Sequence, residues 1–324
     1  GPRRWRVVDA STRVGLRSAT PVAATPALHQ ALAPDHRAAL AWSRRHLGET
    51  RVPLHTHFAT VAPSAALDLI AEAKATYVRE ALAGTAWESL PILSSATPFR
   101  TGGRSGPANF TDIPAGPLRM RNLSDLYPFP NTLVTLLLTG AELADWLERA
   151  ATVFNRIRPG TTDAPLLNTS IPGFAFETIP QLSYAIDLSQ PARFDAQGFL
   201  LNSKTRRIVG LRHDGRPVGD TDQFLLVTNT HRAGRARLQD SGSDLKVAFT
   251  DGARVQAVIA AHLQGKGPVS GQVRRNWHFL PMPGTSVTIA TGDGAAPQLA
   301  EIDAFRPVSL GKDLDGFSHY RLHL

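Results

Sequence analysis

Apolar positions recur at two different periods along the chain, and an element ends where the period changes. From Ser64 to Leu82 a helical stripe collects Ala66, Ile70, Ala73, Tyr77 and Ala81, with Gly84 as its stop. Leu133 to Leu138 predicts a buried strand, followed at once by Thr139-Gly140-Ala141-Glu142. That spacing predicts a capping box, in which the threonine hydroxyl and the glutamate carboxylate each satisfy a free amide. The helix it opens runs to about Ala151 and turns Leu143, Trp146 or Leu147, and Ala150 inward. Further strands are predicted at Tyr184–Leu188, Gln223–Thr228, Ser286–Ala290 and Tyr320–Leu324, and a helix from Val255 to Leu263 with Gly265 at its end. Arg206 to Leu211 and the residues after Asp214-Gly215 predict a hairpin, since Asp-Gly tolerates the positive φ of a primed turn. Nearer the start, Ala33 to Leu47 predicts a helix with Pro34 in its first turn, Ala39, Leu40, Ser43 and Leu47 on one face, and Gly48 past its end. Weak alternation at Trp5–Ala10 and Arg13–Leu16 suggests two short strands.

No internal repeat interrupts this order. The expected class is mixed α/β (α+β mixed), with layered mixed β-sheets flanked by helices. The Pro/Ala-rich stretch from Thr20 to Pro26 marks a boundary, so residues 1–24 are an N-terminal remnant, 25–50 a connector helix and 51–324 the main domain. The opening Gly1-Pro2 reads as a protease-cleavage scar on a chain cut from something longer.

Composition narrows the class. At 324 residues and 42% hydrophobic content the chain can bury a large core, and collagen-like, disordered and coiled-coil classes are excluded. Its longest apolar run is far too short to cross a bilayer. The absence of cysteine removes disulfides and thiolate metal sites. The net charge of +8 suggests nucleic acid, but only five of the 35 basic residues are lysine. The arginines stand as singles and pairs (Arg44-Arg45, Arg206-Arg207, Arg274-Arg275) rather than as a phosphate-tracking stripe. They read as solvated surface, and a nucleic-acid polymer is not the expected partner.

Four constellations carry candidate chemistry. In Arg100-Thr101-Gly102-Gly103-Arg104-Ser105-Gly106-Pro107 the paired glycines admit an anion to the backbone, and Arg104 offers a fork to phosphate oxygens; the same pattern also suits a plain surface turn. In Tyr127-Pro128-Phe129-Pro130-Asn131 two prolines stiffen a loop that presents a ring for stacking on a base and an amide for its edge. The alternative makes Phe129 a core ring and Asn131 a turn residue. Thr228-Asn229-Thr230-His231-Arg232 closes a strand, where a loop histidine could stack or simply face water. His55-Thr56-His57 would put two imidazoles on one side of a strand, able to share a metal, but no third ligand follows at a recognisable spacing.

Together these motifs resemble a known family. Leu93 to Arg100 with Gly102-Gly103-Arg104 and Gly106-Pro107 resembles the C-terminal domain of bacterial 2′,3′-cyclic-nucleotide 2′-phosphodiesterase/3′-nucleotidases, within the 5′-nucleotidase C-terminal domain superfamily. So do Asp125 to Leu133, Trp146-Leu147-Glu148, Thr228-Asn229, Arg232-Ala233, Asn276-Trp277 and Asp315-Gly316-Phe317. The resemblance implies a periplasmic two-domain hydrolase of nucleotide catabolism and phosphate salvage, with its signal peptide upstream of this chain. Two divalent metals would sit in an N-terminal metallophosphoesterase domain, of which residues up to about Pro21 would be the tail. None of that domain's motifs is present, so this chain alone is expected to hold no cofactor, to be inactive, and to bind a nucleotide or nucleoside. By resemblance Gly103 and Arg104 meet the phosphate, Phe129 and His231 sandwich the base, and Asn131 lies beside it. Two departures bear on substrate choice. His231 stands where the second aromatic is usually Tyr or Phe, and Arg235-Ala236 interrupts a glycine-rich run, with Arg235 and Arg237 recharging the spot. Phe129 is itself more typical of the 5′-nucleotidase branch. A 5′-nucleotidase preference, a metal enzyme using His55 and His57, and a binding module with a drifted site therefore stand as alternatives.

Overall fold

The computed structural model describes residues 8–12, 14–15, 25–239, 246–265, 267–271 and 273–324, with 237–239 described in backbone only. Of the strands expected at Trp5–Ala10 and Arg13–Leu16, residues 8–10 and 14–15 are described and form no strand, while the rest of both, the Gly1-Pro2 scar and the Arg237 side chain lie outside the described residues. The chain divides into two compact units, Gly1–Ser43 and Arg44–Leu324.

Six α-helices are described: α1 (Pro26–Ser43), α2 (Ala65–Leu82), α3 (Met120–Leu126), α4 (Gly140–Ala150), α5 (Thr230–Gln239) and α6 (Val255–Gly265). In the first unit, α1 begins earlier than its spacing suggested. Pro26 takes the first position, where no amide partner is needed, and the helix runs on through Pro34. It ends at Ser43, and Leu47-Gly48 belongs instead to a strand, His46–Thr50, paired antiparallel with Gly116–Arg119. Leu47 is buried in that strand, and a side chain on Gly48 would stand 2.8 Å from the Leu263 carbonyl. That glycine serves close packing rather than a helix stop.

The second unit is built around a four-stranded sheet ordered 246–249, 133–139, 223–229, 92–94. Gln223–Asn229 runs antiparallel to Leu133–Thr139 and parallel to Ile92–Ser94. Alternate residues of these strands feed two different cores. Phe224, Leu226, Leu136 and Leu138 join α4, α5 and the remaining large sheets; Leu225, Val227 and Leu133 join α2, α3 and α6. Burial on both faces explains why the strands read as nearly continuous apolar runs. Two further four-stranded sheets, one centred on 182–186 and 208–213 and the other on 286–291 and 318–323, complete the layers. The mixed α/β class with layered sheets is the observed one.

Local signals hold where the chemistry is local. Thr139 N donates to Glu142 Oε2 at 2.7 Å and Glu142 N donates to Thr139 Oγ1 at 3.3 Å, closing the capping box. Gly140 follows because a Cβ there would meet the Gly219 carbonyl oxygen at 2.0 Å. Asp214 and Gly215 take φ of 48° and 77° between Ile208–His213 and Arg216–Pro217, as the hairpin requires. Arg44-Arg45 and Arg274-Arg275 are exposed as expected, and one arginine of the third pair is not. Arg206 is half-exposed beside Asp145, whereas Arg207 is 1% exposed and holds three carbonyls.

Candidate functional site

The loop after α3 is clamped at both ends. Tyr127 N donates to Leu123 O, the Tyr127 carbonyl accepts from Gln256 Nε2 at 2.7 Å, and the Asn131 carbonyl accepts from Val255 N at the start of α6. Between these anchors Pro128 and Pro130 fix φ and offer no amide, so Phe129 is held outward at 46% exposure while Tyr127 is buried. Phe129 is therefore not a core ring. Phe99 backs it edge-on at 5.2 Å between centroids and touches Tyr127 in the same manner at 4.8 Å.

Tyr127 links this wall to the end of the central sheet. Its hydroxyl accepts from Asn131 Nδ2 at 3.5 Å and also meets the Asn229 side chain. Burial pushes the phenol up to about 12, so it stays neutral. Asn229 Oδ1 accepts from Arg232 N at 3.0 Å and so holds the first turn of α5. That turn carries His231, which is exposed; what burial it has, and then the charges of Arg232 and Arg235, hold its pKa below the usual 6.5. The ring is neutral at pH 7 and fit to stack.

Behind the turn, the Arg232 guanidinium donates to Thr97 Oγ1 at 3.1 Å and to the Phe174 carbonyl, and lies 3.8 Å from Glu177. Glu177 also accepts from Trp146 Nε1 at 2.9 Å. Lys74, fully buried, donates to the Ser95 carbonyl, and burial lowers its pKa to about 8. Between pH 8 and 10.5 the folded chain releases this proton before the unfolded one does, so the unfolded state binds more protons and stability rises with pH. The gain approaches about 3 kcal/mol across that window. Denaturant titrations at pH 7.5 and 10 should show this rise in the wild type and a markedly smaller one in Lys74→Met; equal rises would place Lys74 in water.

The structure thus joins Phe129, Asn131 and the turn bearing His231 through one aromatic and hydrogen-bonded network. It does not join Gly103 and Arg104 to them. These sit exposed on a 3₁₀ turn, Gly103–Ser105, and Arg104 makes no hydrogen bond or ion pair among the described residues. The turn itself is fixed, since Gly102 has φ of +70° and a Cβ there would press on Phe110 and Phe317 within 2.8 Å. Sequence reasoning assigned no role to Phe99, Tyr127, Asn229, Arg232 or Glu177. Their clue was only that they fall inside or between the family motifs.

His55 and His57 lie with ring centroids 5.5 Å apart, yet each faces its own carboxylate: Glu301 at 3.0 Å from His55 and Asp112 at 3.4 Å from His57. Burial, working against Asp112, lowers the His57 pKa. The strand here is only Leu54–His55. Among the described residues no three His, Cys, Asp or Glu side chains group so as to hold a metal ion, and none of the described helices is long and apolar enough to cross a membrane.

A family model for the 5′-nucleotidase C-terminal domain matches residues 47–239. The trifunctional nucleotide phosphoesterase protein YfkN of Bacillus subtilis is 29% identical over 98% of this chain and 22% of its own length. The 2′,3′-cyclic-nucleotide 2′-phosphodiesterase/3′-nucleotidase of Haemophilus influenzae is 30% identical over 92% of this chain and 47% of its own. The chain therefore spans about half the length of that phosphodiesterase and a smaller share of the Bacillus protein. Among solved structures, the 5′-nucleotidase precursor from Thermus thermophilus shares the fold, with a TM-score of 0.57 at 18% identity over 78% of this chain and 43% of that one.

Proposed function

The chain belongs to the 5′-nucleotidase C-terminal domain family, and from that membership we propose that it is the nucleotide-binding half of a two-domain, metal-dependent phosphoesterase acting on 2′,3′-cyclic nucleotides and 3′-nucleotides. Phe129 and His231 stack on the two faces of the base, Asn131 meets its edge, and Gly103 with Arg104 receives the phosphate. The observation that carries this reading is the outward, proline-braced Phe129, wired through Tyr127 and Asn229 to the turn that presents His231. A half-exposed ring held rigid on a proline-braced loop suits a flat apolar ligand better than it suits folding.

The hydrolytic step belongs to the partner domain in this proposal. The two divalent metals implied by the family do not fit the donors described here, because the paired histidines are each engaged by their own carboxylate and among the described residues no three such side chains group so as to hold an ion. This half binds and orients: stacking fixes the base, and Arg104 fixes the anion for attack from the other domain. We place the whole enzyme in the periplasm, in nucleotide catabolism. Calorimetric titration with adenosine 3′-monophosphate tests the reading, since Phe129→Ala must weaken it and an unchanged affinity would remove Phe129 from the site.

A further inference from the structure

Beside the first turn of α5 lies an open cleft whose lining includes Trp146, Arg149, Glu177, Asp195, Arg232 and Arg235. Three cations face two carboxylates there, and both carboxylates are already engaged. Glu177 is taken by Trp146 and Arg232, and Asp195 accepts the amides of Gln197 and Phe199 at 2.9 Å each. Arg232 is spent on Thr97 and Phe174, and Arg149 lies over the Phe194 ring at 4.3 Å with its Nε on the Gly198 carbonyl. Arg235 is left: it is partly buried, and among the described residues it makes no hydrogen bond or ion pair.

A guanidinium so placed carries a cost. Burial and the neighbouring Arg232 charge both act against its ionised form. A positive group held beside another, without a counter-ion, invites an anion, and a planar fork invites a phosphate most of all. The helix sets where that anion would lie. His231 and Arg235 are four residues apart on α5, so they share one face with Cβ atoms about 6 Å apart. A ligand whose base rests on His231 thus has Arg235 within reach one turn along, while Arg104 stands on a separate turn.

We propose that Arg235 forms a second anion subsite, and that the preferred ligand class is a nucleoside bisphosphate, one phosphate met by Arg104 and the other by Arg235. This rests on the nucleotide-binding reading above and names the substrate class of that same site. Arg235 is a specificity-determining residue here: a nucleoside with a single phosphate leaves it unpaired, and a second phosphomonoester neutralises it.

The test is calorimetric titration of the chain with adenosine 3′-monophosphate, adenosine 3′,5′-bisphosphate and inorganic phosphate, repeated on Arg235→Gln, Arg235→Lys and Phe129→Ala. The wild type should bind the bisphosphate about tenfold more tightly than the monophosphate, equivalent to ~1.4 kcal/mol. Arg235→Gln should reduce that ratio to near one with the monophosphate affinity little changed, and Arg235→Lys should restore part of it. Matching thermal midpoints of the variants keep the comparison free of folding effects. A wild-type ratio near one, or a ratio that survives Arg235→Gln, overturns the subsite. So does inorganic phosphate alone reproducing the Arg235-dependent gain, which would make the cleft an independent anion site. If instead Phe129→Ala leaves every affinity unchanged, the nucleotide-binding reading fails first, and a lost ratio in Arg235→Gln alone cannot rescue it.

Discussion

Truncation of Phe129 to alanine is expected to weaken binding of adenosine 3′-monophosphate by about 5- to 150-fold, the ~1–3 kcal/mol that base–aromatic stacking contributes elsewhere. The ring is suited to a clean measurement. At 46% exposure it contributes little to the core, and its described ring contact is the edge of Phe99. Pro128 and Pro130 hold the loop whether or not the ring is present, and the loop ends remain clamped by Gln256 and Val255. The thermal midpoint should therefore stay within a degree or two while affinity falls. Loss of affinity without loss of stability is the signature of a ligand contact; a matched loss of both would mean that Phe129 packs the loop. Phe129→Trp, which enlarges the stacking face, should bind at least as well as the wild type.

Replacing Arg207 by methionine is expected to destabilise the fold by about 3–5 kcal/mol, the cost of breaking a buried charged network from one side. Its guanidinium donates to the carbonyls of Ala151, Phe154 and Gln190 at 2.8–3.0 Å, joining the end of α4 to the chain after the 182–186 strand. Its own amide and that of Ile208 donate to Glu148 Oε1 at 2.7 and 2.9 Å. Burial lowers the Arg207 pKa to about 10 against the pull of Glu148 and Asp187, and burial raises that of Glu148 against its two amide donors and the charges of Arg206 and Arg193. Methionine fills most of the volume but strands three acceptors and takes one cation away from the buried glutamate. The double substitution Arg207→Met with Glu148→Gln should recover part of the loss, because glutamine still accepts the two amides without carrying a charge. Chemical denaturation of both variants checks this. A loss below about 1 kcal/mol in the single variant would show that Arg207 behaves as an ordinary surface arginine.

That residue also shows why the sequence is legible only in part. Within Arg206-Arg207 nothing local tells the exposed member from the buried one; the difference is made by carbonyls 17 to 56 positions away. The long elements were legible because period and caps lie within one segment. The Thr139–Glu142 box and the Asp214-Gly215 turn depend on neighbours a few residues off, and the unbroken apolar run of Gln223–Asn229 announces a buried strand although the strands it pairs with are distant in the chain. Leu47 and Gly48 misled for the opposite reason, since their partners are Gly116–Arg119 and the end of α6. The candidate site divides in the same way. Phe129 and Asn131 were readable because two prolines announce a rigid loop. Arg104 was readable as a turn residue, but no spacing could tell what it faces. The Tyr127–Asn229 link joins residues far apart in the chain and was invisible.

The central claim is geometric, and a crystal structure of this chain grown with adenosine 3′-monophosphate tests it most directly. The account predicts the purine lying flat between the Phe129 and His231 rings, with Asn131 at its edge and the phosphate on the Arg104 guanidinium. A base bound elsewhere, or a nucleotide at Arg104 with Phe129 still facing solvent, would contradict it.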